Sequence, residues 1–137
     1  MHERARTAAR WVLAAFLVFA GSAHFWNLAD FQAQVPPWIP VDVDVVVWLS
    51  GVVEIVLGLA LLLLPRHRAL VGWLVAGLFV AVFPGNVAQY VEGRDAFGLD
   101  TDAARLTRLF FQPLLVAWAL WCTGAWQALR ARRSVAS

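Results

Sequence analysis

The stretch VVVWLSGVVEIVLGLALLLL, residues 45–64, decides what kind of protein this is. Its twenty residues carry one charge, Glu54. A helix rising about 1.5 Å per residue needs ~20 apolar residues to cross ~30 Å of hydrocarbon, so the segment is read as a membrane span. Working outward, residues 10–27, 69–91 and 106–128 are apolar over comparable lengths. The expected fold is all-α: an antiparallel four-transmembrane-helix bundle forming a single membrane domain over residues 1–137.

Composition agrees with lipid as the solvent. Of 137 residues, 61% are hydrophobic and 15% charged, with mean hydropathy +0.68. Soluble domains run nearer half apolar and a quarter charged. A domain this small has too much surface for its volume to keep so much apolar area dry in water.

Charge placement predicts orientation. All eleven basic residues are arginine. Arg4, Arg6, Arg10, Arg66, Arg68, Arg130, Arg132 and Arg133 fall on one side if all four segments cross. Arg94, Arg105 and Arg108 fall on the other, with most of the acidic residues. Basic residues collect in cytoplasmic loops, so a multi-pass cell-membrane protein with both termini cytoplasmic is expected. The net charge of +2 and pI near 9.5 do not point to nucleic acid, because the arginines are not interleaved with aromatics on a polar face. Arginines followed by an apolar run and Gly21-Ser22-Ala23 resemble a cleavable leader. The run continues through His24, Phe25 and Trp26, so retention as the first span is expected.

Two connections differ in kind. Residues 65–68, Pro-Arg-His-Arg, read as a tight hairpin joining antiparallel neighbours. Residues 28–44 form a longer proline-rich outer loop between helices 1 and 2, with Pro36, Pro37, Trp38 and Pro40. Proline forbids a continuing helix and tryptophan prefers the headgroup level, so a stiff segment on the outer face is expected.

The cysteine and histidine counts exclude several chemistries. Cys122 is the sole cysteine, and dithiol exchange within one chain needs two sulfurs. His2, His67 and His24 are the histidines, and one of them lies in a span. No haem held by two axial histidines and no zinc-like spacing is evident, so no metal site is expected.

Function is sought among polar groups inside the spans. Glu54 sits near the middle of the second span, where a carboxylate costs on the order of 3 kcal/mol, so it is protonated, paired or facing an aqueous cavity. Ser50, Gly51, Glu54 and Gly58 share one helical face, and the glycines allow another helix to approach closely. His24 lies about 7 Å further out by helical rise, within reach of Glu54 given long side chains and modest tilt. Asn86 and Gln89 follow Pro84 and Gly85 in the outer third of the third span, where the missing proline N–H frees a carbonyl. Gln112 lies one turn below Arg108. All four spans thus carry polar groups in their outer halves, while the inner halves are nearly all aliphatic. Trp38 and Trp48 are the aromatics expected to line a site. Against this stands interhelical glue, in which amides and hydroxyls tie helices together for about 0.6 kcal/mol each.

The same residues carry a family likeness. Gly21-Ser22-Ala23-His24-Phe25, Val35-Pro36-Pro37-Trp38-Ile39-Pro40, Ser50-Gly51-Val52-Val53-Glu54 with Gly58, Phe83-Pro84-Gly85-Asn86 and Arg108-Leu109-Phe110-Phe111-Gln112 together resemble the DoxX family of small membrane proteins. The likeness extends from about Trp11 to Trp126, and its five motifs stand in order on the right segments. One departure is Phe110, where many members carry proline. The resemblance implies a four-helix membrane fold. Some relatives look like subunits of thiosulfate:quinone oxidoreductases or of membrane complexes handling thiol and oxidative stress, and distant animal relatives act as receptor-assembly chaperones. It transfers no catalytic residues.

Two function classes remain open. The first is a redox-associated subunit, not itself evidently an enzyme, binding a quinone-like or other small amphipathic ligand in the outer half, with a membrane or peripheral redox partner. Its candidate residues are His24, Glu54, Asn86, Gln89, Gln112, Arg108, Ser50 and Trp38. The second is a membrane-protein assembly factor or scaffold without catalytic activity. A transporter would need a polar path through the aliphatic inner half.

Overall fold

A computed structural model describes residues 2–136, and the described chain is all helical apart from its turns and one isolated bridge between Ala96 and Leu99. The elements in order are α1 (His2–Trp26), α2 (Leu28–Gln32), α3 (Val43–Leu63), a 3-10 turn (Pro65–His67), α4 (Arg68–Ala81), α5 (Phe83–Glu92), α6 (Asp102–Cys122) and α7 (Ala125–Ala136). Three helical stretches are long and apolar enough to cross a membrane: His2–Trp26, Val43–Leu63 and Pro65–Glu92. A fourth is added if α6 and α7, bent by 64°, are taken together.

The α1–α3 pair has the most extensive contact in the fold, and glycine is the reason. A Cβ added at Gly21 would stand 2.7 Å from the Gly51 carbonyl oxygen, and one at Gly58 would stand 2.9 Å from that of Ala14. Residue 21 therefore faces 51 and residue 14 faces 58, so the two helices run in opposite directions. The face of α3 that the glycine spacing singled out is the face against α1.

Toward the arginine-rich end, Leu13, Ala14, Leu17, Leu61, Val71, Val75, Ala76, Ala119 and Cys122 form a buried apolar core, closed at its far side by Phe79. Fully burying such side chains contributes about 1.5–3 kcal/mol each in water, whereas in lipid close packing takes over that role. Many apolar side chains point outward instead, among them Leu49, Val56, Leu74 and Leu114. In water so wide an exposed apolar face would drive aggregation; toward acyl chains it costs nothing.

In four places the helices extend past or divide the apolar stretches. α1 begins at His2 instead of near residue 10, which carries its buried face back to include Arg10. The stretch 69–91 is two helices that meet at Val82, because Pro84 opens the second of them and has no N–H for the preceding turn. The stretch 106–128 divides at Thr123 and Gly124, where Gly124 takes φ +73, a conformation that glycine alone adopts without strain. The outer connection contains a short helix, α2, and it buries Val35 and Pro36 instead of lying wholly on the surface. Helix starts follow ordinary capping: the Asp42 carboxylate accepts from the N–H groups of Asp44 and Val45, and the Thr101 hydroxyl from that of Ala104.

Candidate functional site

Opposite the apolar core, at the other end of the helices, a partly open cavity of about 510 Å³ is bordered by α1, α3, the α4–α5 junction, α6 and residues of the 27–34 and 97–99 segments. His24, Asn27, Gln34, Glu54, Asn86, Arg108 and Gln112 contribute its polar lining, and Phe16, Phe19, Phe31, Phe79 and Phe97 much of the rest. A second cavity of about 170 Å³ lies beside it, reached from His24 and bounded by Trp38, Ser50 and Pro84. His24 and Phe31 stand between the two.

The acid and the imidazole approach each other because the Gly21–Gly51 contact draws their helices together. Nδ1 of His24 lies 3.4 Å from Oε2 of Glu54. That nitrogen also lies 2.8 Å from the Ala20 carbonyl oxygen, one turn back on the same helix. A carbonyl can only accept, so the Nδ1 proton points to Ala20 and the contact with Glu54 is electrostatic proximity without a hydrogen bond. Oε2 of Glu54 is accordingly buried and has no hydrogen-bond partner. On its other face His24 stacks on Phe31, with ring centroids 3.7 Å apart, and Phe31 meets Phe97 edge-on. These aromatic contacts lock the imidazole ring plane beside the cavity.

Across the cavity the amides form a separate ladder. Nε2 of Gln112 donates to the Phe79 carbonyl oxygen at 2.5 Å, and its Oε1 accepts from Nη1 of Arg108 at 2.9 Å and from Asn86 at 3.4 Å. Phe79 lies in the last turn of α4, just before the break at Val82, so Gln112 ties α6 to the end of that helix. Gln34, from the outer connection, donates to Gln89 at 2.8 Å and approaches Asn86 at 3.4 Å. Gln89 in turn donates to the Ala96 carbonyl oxygen.

The candidate residues therefore fall into three groups. His24, Glu54, Asn86, Gln112 and Arg108 surround the larger cavity, and Ser50 and Trp38 border the smaller one. Gln89 is 1% exposed and lines neither cavity; its amide is used in holding Gln34 and the 93–101 loop. Trp48 is half exposed and lies outside both linings.

Several contributors escaped the sequence reading. Gln34, in the proline-rich connection, is drawn in where Gly85 lets its backbone so close that a Cβ there would sit 2.5 Å from the Gln34 oxygen. Phe31 stacks on His24, and Phe97 backs Phe31 edge-on from a positive φ of 55° beside Gly98. Arg94 fastens the outer connection by donating to the carbonyl oxygens of Ala33 and Val35 at 3.1 and 3.0 Å. Arg105 holds the neighbouring loop through Asp95, Asp102 and the Arg94 carbonyl. A signal for Arg94 and Arg105 did exist, since both stand among the acidic residues Glu92, Asp95, Asp100 and Asp102, the setting in which an arginine ties a loop down.

The chemistry available is that of a half-lined polar cavity. One wall offers a carboxyl oxygen without a partner and an imidazole; the other offers a guanidinium and two amides already joined to each other. Among the described residues no group of three or more His, Cys, Asp or Glu side chains comes together as a metal site would require.

Comparison with known proteins adds a family. No curated protein and no solved structure matches significantly. Residues 13–123, which include both walls of the cavity, match the family described as a domain of unknown function, DUF8561. The chain belongs to that family.

Proposed function

We propose that this chain is a multi-pass protein of the cell membrane that binds a quinone-like or other small amphipathic ligand between its helices, as a redox-associated subunit of DoxX type. In this reading α1, α3, α4–α5 and α6 cross the bilayer as an antiparallel four-helix bundle, the proline-rich connection covers the outer face, and both termini are cytoplasmic. The arginine distribution and the helix lengths support that orientation. The resemblance to DoxX proteins supports the redox association.

One observation carries the ligand: a buried carboxyl oxygen of Glu54, without a hydrogen-bond partner, on the wall of a cavity of about 510 Å³. Sites for small molecules span about 300–1,000 Å³ and combine apolar walls with a few converging polar groups. A flat ring bearing oxygen at both ends suits these walls. One oxygen meets Glu54 and His24, the other meets Arg108 and Gln112, and the phenylalanines cover the ring. An apolar tail leaves between α1 and α6, past Phe16 and Leu115, toward lipid. Electrons pass to or from a membrane or peripheral partner.

The test is extraction of the purified protein followed by quinone analysis, with titration of a short-chain ubiquinol read by tryptophan fluorescence. Glu54→Gln is expected to weaken binding about tenfold, the equivalent of one lost hydrogen bond near 1.4 kcal/mol. Absence of any co-purifying quinone, together with unchanged binding by Glu54→Gln, defeats the proposal. The alternative, an assembly factor or scaffold, draws on Trp38, which is 70% exposed on the outer connection. That reading predicts crosslinks at Trp38 to a recurrent partner and indifference to His24→Ala.

A further inference from the structure

The arginine-rich end of the helices holds two charges that the chain itself does not answer. Arg6 and Arg10 lie one turn apart on α1, about 6 Å along its axis. They continue the face that buries Leu13, Ala14 and Leu17. Arg10 is 6% exposed. Nε of both residues is buried without a hydrogen-bond partner, and neither guanidinium makes a hydrogen bond or ion pair among the described residues. The other arginines that are not fully exposed are all met: Arg94 by two carbonyls, Arg105 by two aspartates and a carbonyl, Arg108 by Gln112.

No carboxylate of this chain is free to reach them. Eight arginines share that end with a single acid, Glu3, and Glu3 lies 3.5 Å from Arg68. A guanidinium partly withdrawn from water, its Nε buried and its terminal nitrogens still open, is stabilised by an anion that can reach those nitrogens. An anion that pairs with them therefore comes from outside the chain. Arg10 lies about 10 Å along the axis from Glu3, and Arg6 lies between them, so their long side chains reach the level where the helices leave the apolar layer. Lipid phosphates occupy that level. The bend at Gly124 turns α7 away from α6 there, with Arg130, Arg132 and Arg133 exposed along it and Trp126 near its start. Basic pockets between helices at a membrane surface hold anionic head groups, and the planar guanidinium fork matches phosphate oxygens.

The geometry points to Arg6 and Arg10 as a site for the phosphate of an anionic membrane lipid, with the arginines of α7 as an outer collar that draws the lipid in. The site rests on the membrane-spanning character of the helices and is independent of the cavity at the opposite end.

The experiment uses the full chain in a neutral maltoside detergent, with thermal unfolding followed by tryptophan fluorescence. Three additions are compared: phosphatidylglycerol, phosphatidylcholine with the same acyl chains, and inorganic phosphate. Phosphatidylglycerol is expected to raise the midpoint saturably by several degrees, with a smaller shift from phosphatidylcholine and none from millimolar phosphate. Arg6→Gln and Arg10→Leu should each raise the half-saturating lipid concentration tenfold or more, while Arg132→Gln changes it less than threefold. Arg10→Leu replaces an unanswered charge with an apolar side chain, so without lipid it should unfold no earlier than the native protein. If it fails to fold, Arg6→Gln alone decides. Phosphatidylglycerol protection that survives both substitutions overturns the site. Equal, Arg10-dependent protection by inorganic phosphate overturns the lipid as occupant.

Discussion

Replacing Gly51 by alanine places one methyl group in the close backbone contact between α1 and α3. The new Cβ stands 2.8 Å from the Gly21 carbonyl oxygen, 2.8 Å from the His24 Cβ and 3.1 Å from a ring carbon of Phe25. The first of these is backbone and cannot swing aside. Relief requires α1 and α3 to part by about 0.6 Å, the gap between 2.8 Å and the 3.4 Å of ordinary contact. A separation of 0.5–1 Å forfeits roughly a quarter to a half of each dispersion well, and overpacking of this kind costs about 1–3 kcal/mol. In lipid, where packing and not water expulsion holds helices together, that loss falls on the most extensive interface in the protein. The same movement lengthens the His24–Glu54 approach, so ligand binding should weaken along with stability. Reversible unfolding in mixed micelles, followed by circular dichroism, measures the change. Gly77→Ala is the control, because an added Cβ there meets nothing within 4 Å. Native-like stability for Gly51→Ala, or equal damage from Gly77→Ala, would refute the argument that the glycine contact sets the helix spacing.

Three further outcomes follow from the geometry. Gln112→Leu deprives the Phe79 carbonyl of its donor and leaves Arg108 and Asn86 without their acceptor, which should destabilise by about 1–2 kcal/mol in the same unfolding assay. Arg94→Ala releases Ala33 and Val35, so hydrogen exchange should accelerate over residues 33–39 while α1 and α3 keep their protection; unchanged exchange would show that the clamp is dispensable. Orientation is tested in a Cys122→Ser background, where an impermeant maleimide applied to intact cells should label Phe97→Cys and spare His67→Cys. The reverse pattern would place the termini outside.

Much of the architecture is legible because it depends on local composition. The apolar length of residues 45–64 and the tight turn at Pro65 come directly from residue types, as does the small-residue face of α3. The position of Glu54 on that face already implies that it points at protein. The partition of the polar residues is another matter. Asn86, Gln89 and Gln112 are chemically alike and similarly spaced along their helices, yet Gln89 is spent on Gln34 and Ala96 while the other two reach the cavity. Nothing in their spacing separates them, since the outcome depends on how α5 is rotated after the break at Val82 and on where Gln34 arrives from the outer connection.

By itself the amino-acid order determined an all-helical chain with membrane-length apolar segments, polar groups gathered toward one end and arginines toward the other, because hydropathy and charge act residue by residue. Tertiary structure alone decided that Glu54 faces a cavity without a hydrogen-bond partner, that Gln34 and Phe31 help enclose the site, and that Arg10 is buried instead of bathing in water. Those facts depend on which helix face meets which neighbour across tens of residues, and hydrogen bonds and close contacts are satisfied, or left unsatisfied, only once the helices have been brought together.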